Sequence, residues 1–327
     1  MDKDKKHIRW GVLGAARIAT VKVIPAMQQC TLARVVAIAS RDLNKARQAA
    51  ISLDIPRAYG SYEELLEDPD IDAVYNPLPN HLHLPWTLKA AAAGKHVLCE
   101  KPIGMNAAEC QQLIAARDRH GVKIGEAFMV RSHPQWLRAR ELIQNGTLGT
   151  LRSVITAFTY NNQNPHNIRN IPEYGGGALM DIGCYAIQIS RWIFGEEPTA
   201  VQSAIERDPA MHTDRLTSAL LTFPSGHAIF TCSTQLMPYQ RVQLLCTEGR
   251  IEIEIPFNAP PDQASTIFIN TPQAQSSEEF PICDQYTLQG DAFSRAILDN
   301  SEVPTPLEDA LRNMQVIDRV FANAANR

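Results

Sequence analysis

No run of apolar residues in this chain is long enough to cross a bilayer, and its start, "MDKDKKHIRW", has neither an apolar segment nor a small-residue cleavage site. The sequence therefore leads us to expect a cytoplasmic protein without a membrane partner. Charge of one sign is lacking too. With 31 Lys and Arg against 35 Asp and Glu, the formal net charge is -4, which offers no basic field to nucleic acid. The seven cysteines, Cys30, Cys99, Cys110, Cys184, Cys232, Cys246 and Cys283, contain no C-x-x-C pair. They read as reduced core residues, and neither a disulfide framework nor a zinc site is expected. There is also no internal repeat, low-complexity tract or long run of charge.

What is present is a chain of 327 residues, 45% hydrophobic and 20% charged, long enough to make two domains the default. The first part alternates short apolar runs, "IRWGVLGA", "VVAIAS", "AVYNPLP", "HVLCEKP" and "VKIGEAFM", with helical patterns. That order predicts βαβ units and a parallel sheet. From about Leu151 the texture changes to strand-like runs, two of them folded at "PSG" and "EG" turns, which predicts an antiparallel sheet carrying one helix. Two amphipathic segments, near residues 289–300 and 305–325, close the chain. The sequence leaves open whether they pack on the second domain or return to the first.

Polar residues collect where the predicted parallel strands end. In "WGVLGAARIA" a strand meets a glycine turn and a helix, the arrangement that offers backbone N–H groups to a pyrophosphate. The G-x-G-x-x-G spacing is incomplete: Gly14 holds the first place, and Ala16 and Ala19 hold the second and third. Gly14, Ala16, Arg17 and Ile18 are the expected phosphate turn. The second strand ends in Ser40 and Arg41 where NAD enzymes place an acidic residue, which predicts NADP over NAD, with Asp42 capping a helix that begins at Leu43. "NPLPNHLH" brings Leu78, Asn80 and His83 to the next strand end; His81 and His83 lack a third ligand, so no metal is assigned. "LCEKP" brings Glu100 and Lys101 to the one after. All fall on the edge where open α/β sheets bind ligands.

In the second part, "GGGALMDIGCYAI" sets Asp181 and Tyr185 four residues apart, on one face of a helix over 178–193. Ahead of it, "YNNQNPHNIRNIPEY" holds five asparagines, a glutamine, His166 and Arg169. Such amides suit a polyhydroxylated ligand and equally suit a turn-rich loop. Arg131 and His133, in "EAFMVRSHPQ", are read as lining the same cleft, with helix-start packing as the alternative.

As an ordered set, "GVLGAARIA", "SRD", "PNHLH", "CEKP", "EAFMVRSHPQ" and "GGGALMDIGCY" resemble the Gfo/Idh/MocA oxidoreductases, over roughly the first 60% of the chain. Tyr185 in the last motif makes it similar to the branch of xylose/glucose 1-dehydrogenases and dimeric dihydrodiol dehydrogenases. The resemblance implies a Rossmann domain over 1–127 and an α/β domain over 128–327, built on a large open, mostly antiparallel sheet. The outer face of that sheet would join a homodimer or homotetramer.

It also implies that Lys101 and Tyr185 are catalytic and that Asp181 belongs to the site. The expected cofactor contacts are Gly14, Ala16, Arg17, Ile18, Ser40, Arg41, Leu78, Asn80, His83, Glu100, Lys101 and Arg131; the expected substrate contacts are Asn162, His166, Asp181 and Tyr185. In this reading an NADP-dependent enzyme moves a hydride to or from a sugar, Tyr185 exchanges the proton, and Lys101 favours the phenolate. Asp181 orients the substrate or holds Lys101, and Gly175 to Gly177 let the chain pass close to the nicotinamide. The alternatives are a dehydrogenase of trans-dihydrodiols or other non-sugar alcohols, and a silent cofactor-binding regulator.

Overall fold

Short apolar runs separated by capped helices build the first part of the structure, a computed structural model that describes residues 7–326. Residues 1–6, which carry most of the charged start, and Arg327 lie outside the described residues, and with them the outer limits of the two sequence-based domains. The chain divides into two compact units, Met1–Ser132 with Asp284–Leu311, and His133–Cys283 with Arg312–Arg327.

The first unit contains β1 (Ile8–Leu13), β2 (Ala33–Ala39), β3 (Arg57–Tyr59), β4 (Ala73–Asn76), β5 (His96–Cys99) and β6 (Ile124–Glu126). They lie in the order β3-β2-β1-β4-β5-β6, every neighbouring pair parallel. Parallel strands covered on both faces read as continuous apolar runs, and every residue of β4 is buried. The chain runs outward from β1 on one side and from β4 on the other, so a crevice opens at the carboxyl ends of β1 and β4. Asp42 caps the helix Leu43–Ser52, accepting from the Asn44 and Lys45 N–H groups, and Ser61 and Asn106 cap Tyr62–Glu67 and Ala107–His120 in the same way.

Residues 284–311 belong to this unit although they follow the second sheet in sequence. Trp10 Nε1 donates to Ser294 Oγ at 3.0 Å, and the Trp10 and Phe293 rings lie 5.6 Å apart. Asp291 accepts from the N–H groups of Thr31 and Leu32 at 3.1 and 2.7 Å. Burying a side chain such as Phe293 contributes about 1.5–3 kcal/mol, enough to bind the helix Gln285–Leu298 to β1. The helix Leu307–Ala322 begins in the first unit and ends in the second.

The second unit is built on β7 (Leu151–Asn161), β8 (Ala200–Arg207), β9 (Asp214–Thr222), β10 (His227–Ser233), β11 (Gln235–Cys246), β12 (Arg250–Ile253), β13 (Ser265–Asn270), β14 (Gln275–Phe280) and β15 (Ala324–Asn326). Their order is β14-β13-β12-β11-β7-β10-β9-β8-β15, antiparallel except where β10 meets β7 and β15 meets β8. Alternation divides the faces. Val154, Thr156 and Phe158 of β7 are buried on one side, while Ile155 and its β10 partner Ile229 are exposed on the other. Tyr239 and Phe268 lie exposed on that same outer face. Among the described residues no helix is long and apolar enough to cross a membrane.

Candidate active site

β1 ends at Leu13 and the chain turns at Gly14, whose φ of +97° favours glycine. The turn is fixed by its N–H, which donates to Ala39 O at the end of β2 at 2.8 Å. A Cβ at Gly14 would stand 3.0 Å from Leu78 Cδ2 and 3.5 Å from the Tyr62 hydroxyl, so its absence keeps the crevice open. Ala15, Ala16 and Ile18 pack against the apolar core and Arg17 is exposed. The methyl that replaces the second glycine is thus absorbed by the core. The helical segment that follows supplies the backbone donors a pyrophosphate needs, so these residues fit a dinucleotide.

At the end of β2, Ser40 is buried; its N–H donates to Tyr59 O at 3.2 Å and its Oγ accepts from Asp42 N–H at 3.3 Å. Arg41 is exposed, with its guanidinium beside the Tyr62 hydroxyl, where burial raises the phenol's pKa and the cation opposes the rise. Gly14, Arg41, Tyr62 and Leu78 therefore form one group. Tyr62 was not among the sequence-expected residues, because nothing in "SYEELLE" separates it from a packing aromatic, a role it also has edge-on to Trp86 at 4.7 Å.

His83 requires a correction. Its ring is fully buried, with Nδ1 2.7 Å from Pro102 O and Nε2 2.7 Å from Leu78 O. It ties the Leu78 loop to the segment carrying Lys101, and no face of it is left for a cofactor. Asn80 is half-buried in the single turn Asn80–Leu82. Glu100 accepts the Tyr75 hydroxyl at 2.7 Å and the Lys101 N–H at 3.3 Å, and Lys101 itself is half-buried before a cis Pro102 peptide. Arg131 is engaged within its own unit, 3.2 Å from Asp309 and donating to Pro304 O. His133 takes the helix-start role, its Nδ1 accepting from Gln135 N–H ahead of Pro134–Gln144.

In the second unit the run 178–193 is less uniform than its periodicity implies. Leu179–Gly183 forms a wide π turn, and the α-helix Cys184–Phe194 follows. Such turns recur at functional sites. Asp181, within the wide turn, accepts the Tyr160 hydroxyl at 2.6 Å and pairs with Arg169 Nε at 3.0 Å. Burial and the Asp181 charge hold the Tyr160 phenol far above its ordinary pKa. Tyr185 is 5% exposed, its ring 6.0 Å from Phe158 and 5.3 Å from Phe257.

The three glycines have separate local roles. Gly175 closes the turn Pro172–Tyr174. A Cβ on Gly176 would meet Arg169 O at 2.5 Å, and one on Gly177, at φ +117°, would meet Asp214 Oδ1 at 1.9 Å. Gly176 and Gly177 thus make room for the chain's own carbonyls and carboxylate. In the asparagine-rich loop, Asn162, Asn164 and Asn167 accept through Oδ1 from N–H groups two residues on, at 3.2, 3.0 and 3.0 Å. Asn170 donates to the carbonyls of Asn162 and Asn164, so the amides build turns. His166 is exposed on the loop. Tyr160 and Asp214 were missed by sequence reasoning, since only the folded sheet brings them to this helix.

A profile described as "Oxidoreductase family, NAD-binding Rossmann fold" matches residues 8–128, and one for the GFO/IDH/MocA C-terminal domain matches residues 136–252. The chain belongs to the Gfo/Idh/MocA oxidoreductase family. It is 37% identical over 319 residues to D-xylose 1-dehydrogenase (NADP(+)) 2 of Haloferax volcanii, covering 96% of this chain and 97% of that one. It is 36% identical over 258 residues to trans-1,2-dihydrobenzene-1,2-diol dehydrogenase of Mus musculus, 76% of this chain and 74% of the relative. Its fold superimposes with a TM-score of 0.91 on a 3-ketoreductase from Actinomadura kijaniata in complex with NADP and TDP-benzene, at 31% identity and over 97% of this chain and 98% of that one. Within this Gfo/Idh/MocA chain, Gly14, Arg41 and Lys101 stand on the Rossmann unit, and Asp181 and Tyr185 on the unit with the second sheet.

Proposed function

We propose that this protein is an NADP-dependent dehydrogenase or reductase that moves a hydride between the nicotinamide and the hydroxyl or carbonyl carbon of a sugar or related polyhydroxy compound. The observation that carries the reading is the Asp181 carboxylate, fixed by Tyr160 and Arg169 just ahead of Tyr185. Two relatives support the cofactor and the substrate class, one named for NADP-dependent xylose oxidation and one bound to NADP. When bound, the cofactor supplies the hydride acceptor or donor.

The chain's own residues hold the cofactor and manage the proton. The turn from Gly14 through Ala16, Arg17 and Ile18 binds the pyrophosphate, Ser40 and Arg41 take the 2'-phosphate, Leu78 and Asn80 border the crevice, and Glu100 positions Lys101. Tyr185 accepts the substrate hydroxyl proton during oxidation and returns it during reduction. An unperturbed phenol, with a pKa of about 10, is a poor base near neutrality, and the Lys101 ammonium favours its phenolate. Tyr160 and Arg169 hold Asp181 in one orientation, as a group that positions a substrate hydroxyl must be held. The exposed outer sheet face, with Ile155, Ile229, Tyr239 and Phe268, joins two or more copies.

The test is NADPH appearance, followed by fluorescence, with D-xylose, D-glucose, other aldoses and a trans-dihydrodiol, and with Tyr185→Phe and Lys101→Ala as controls. Aldose turnover that falls roughly 10²- to 10⁴-fold in Tyr185→Phe, with NADPH affinity kept, is expected. Turnover of the dihydrodiol alone overturns the sugar assignment. Tight NADPH binding without turnover of any of them overturns the enzymatic reading in favour of a regulator.

A further inference from the structure

We propose that Asp214 is a positioning residue for Asp181 and Tyr185: its ionised carboxylate fixes the start of the turn that carries Asp181, and it loosens that turn on taking up a proton. Its effect on turnover rests on the dehydrogenase reading above; the contact itself rests on geometry.

Asp214 opens β9 and is 1% exposed. Its Oδ2 accepts from the Leu179 N–H at 2.7 Å and from Thr217 Oγ1 at 2.8 Å. Its Oδ1 lies where a side chain on residue 177 would be, since a Cβ there would stand 1.9 Å away. The bare backbone at Gly177 is thus what admits the carboxylate. Leu179 begins the π turn, Asp181 sits inside it, and Tyr185 is the second residue of the helix that follows. An anion among the unpaired N–H groups at a helix start is favourable, whereas an enclosed charge is otherwise costly. The titratable and charged groups around it are Arg207 on β8, which favours its charge, Tyr160 on β7, Cys232 on β10, and Asp181 on the turn itself.

Burial raises the Asp214 carboxyl to about 6, and two effects of opposite sign follow. The bonds from Leu179 and Thr217 favour the ionised form, so ionisation tightens the turn and protonation weakens it. Burial favours the neutral form and outweighs those bonds, so the charge lowers the stability of the whole fold as pH rises through about 6. A neutral isostere should therefore fold at least as stably near neutrality and yet hold the turn less firmly. A merely structural carboxylate would lose both together.

Protein labelled with 15N-leucine and 13Cζ-tyrosine is titrated by NMR. The Leu179 amide and the Tyr160 ring are expected to move together with a midpoint near 6. In Asp214→Asn both stay still, the melting temperature and NADPH affinity are kept, and turnover falls roughly ten- to hundredfold. Thr217→Val keeps the carboxylate, removes one bond to it, and moves the midpoint up by about one unit. A Leu179 amide that does not titrate, a midpoint unmoved in Thr217→Val, or full turnover in Asp214→Asn overturns the proposal. If the wild type oxidises nothing, the dehydrogenase reading falls, and the Leu179 and Tyr160 titrations still decide the role of Asp214.

Discussion

Replacing Gly177 by alanine perturbs one point at which backbone conformation, a buried carboxylate and the turn under Asp181 all meet. At φ +117° an L side chain is strained, by about 1–2 kcal/mol. Its methyl would also stand 1.9 Å from Asp214 Oδ1, so the carboxylate must retreat by about 1.5 Å before an ordinary van der Waals contact is restored. That retreat breaks the 2.7 Å bond to Leu179 N–H or the 2.8 Å bond to Thr217, and a hydrogen bond to a charged group contributes about 1.5–3 kcal/mol. Strain and one lost bond together give about 2.5–5 kcal/mol. For a unit of this size the melting temperature should fall by roughly 5–20 °C, read by calorimetry or circular dichroism. Turnover should fall with it while NADPH binding, which the other unit supplies, persists. A loss below about 1 kcal/mol would refute the reasoning, since it would mean that residue 177 has room for a side chain and that Asp214 is not wedged against it.

His133 is buried and its imidazole pKa is lowered to about 4, so the folded state keeps it neutral while the unfolded chain protonates it from about 6.5 downward. Its contribution to stability is therefore present above that range and falls by up to about 2 kcal/mol by about pH 5. His133→Asn, which keeps a capping side chain, should remove that slope from denaturant curves taken at several pH values, and an unchanged slope counts against it. Arg41→Ala should weaken NADPH binding roughly ten- to hundredfold and leave NADH binding unchanged; equal losses for both would show that Arg41 does not read the 2'-phosphate. If the outer sheet face joins copies as proposed, Ile229→Lys, on the exposed row with Ile155, should leave monomers where the unmodified protein assembles, read by light scattering, and an assembly unchanged by the substitution would place the contact elsewhere.

Five strands of the parallel sheet were legible because each is a short apolar run, whereas the edge strand β3, Arg57–Tyr59, is too short and polar to show; the cap at Asp42 was legible because its chemistry is local. The same locality misleads at His83. In sequence the histidine is one more polar group after a strand, and only the packed structure shows that the Leu78 and Pro102 carbonyls enclose it. The glycine triplet is ambiguous for a related reason. Three glycines announce a close approach without saying of what, and the approaching groups are Asp214 and the Arg169 carbonyl. The asparagines of the loop were open to two readings, and their hydrogen bonds favour the turn-forming one.

What lay furthest from legibility is the backbone itself at one place in each unit, beside the Gly14 turn in the first and around Asp181 in the second. Both π turns among the described residues occur there, Ala19–Val23 shortly after the Gly14 turn and Leu179–Gly183 around Asp181. Each continues directly into an α-helix, and the apolar periodicity crosses both without a break, so the sequence reads as one uniform helix. A wider turn lengthens the bonded ring by one residue and displaces the side chains it carries. Holding Asp181 in such a turn takes contacts made across the sheet: the Tyr160 hydroxyl 21 residues earlier in the chain, and Asp214 on the Leu179 N–H, 35 residues from it. The locally awkward features, a widened turn, a buried carboxylate and a glycine at positive φ, thus explain one another once folded. Their concentration beside Asp181 is what is expected where local regularity has been given up for a positioned functional group.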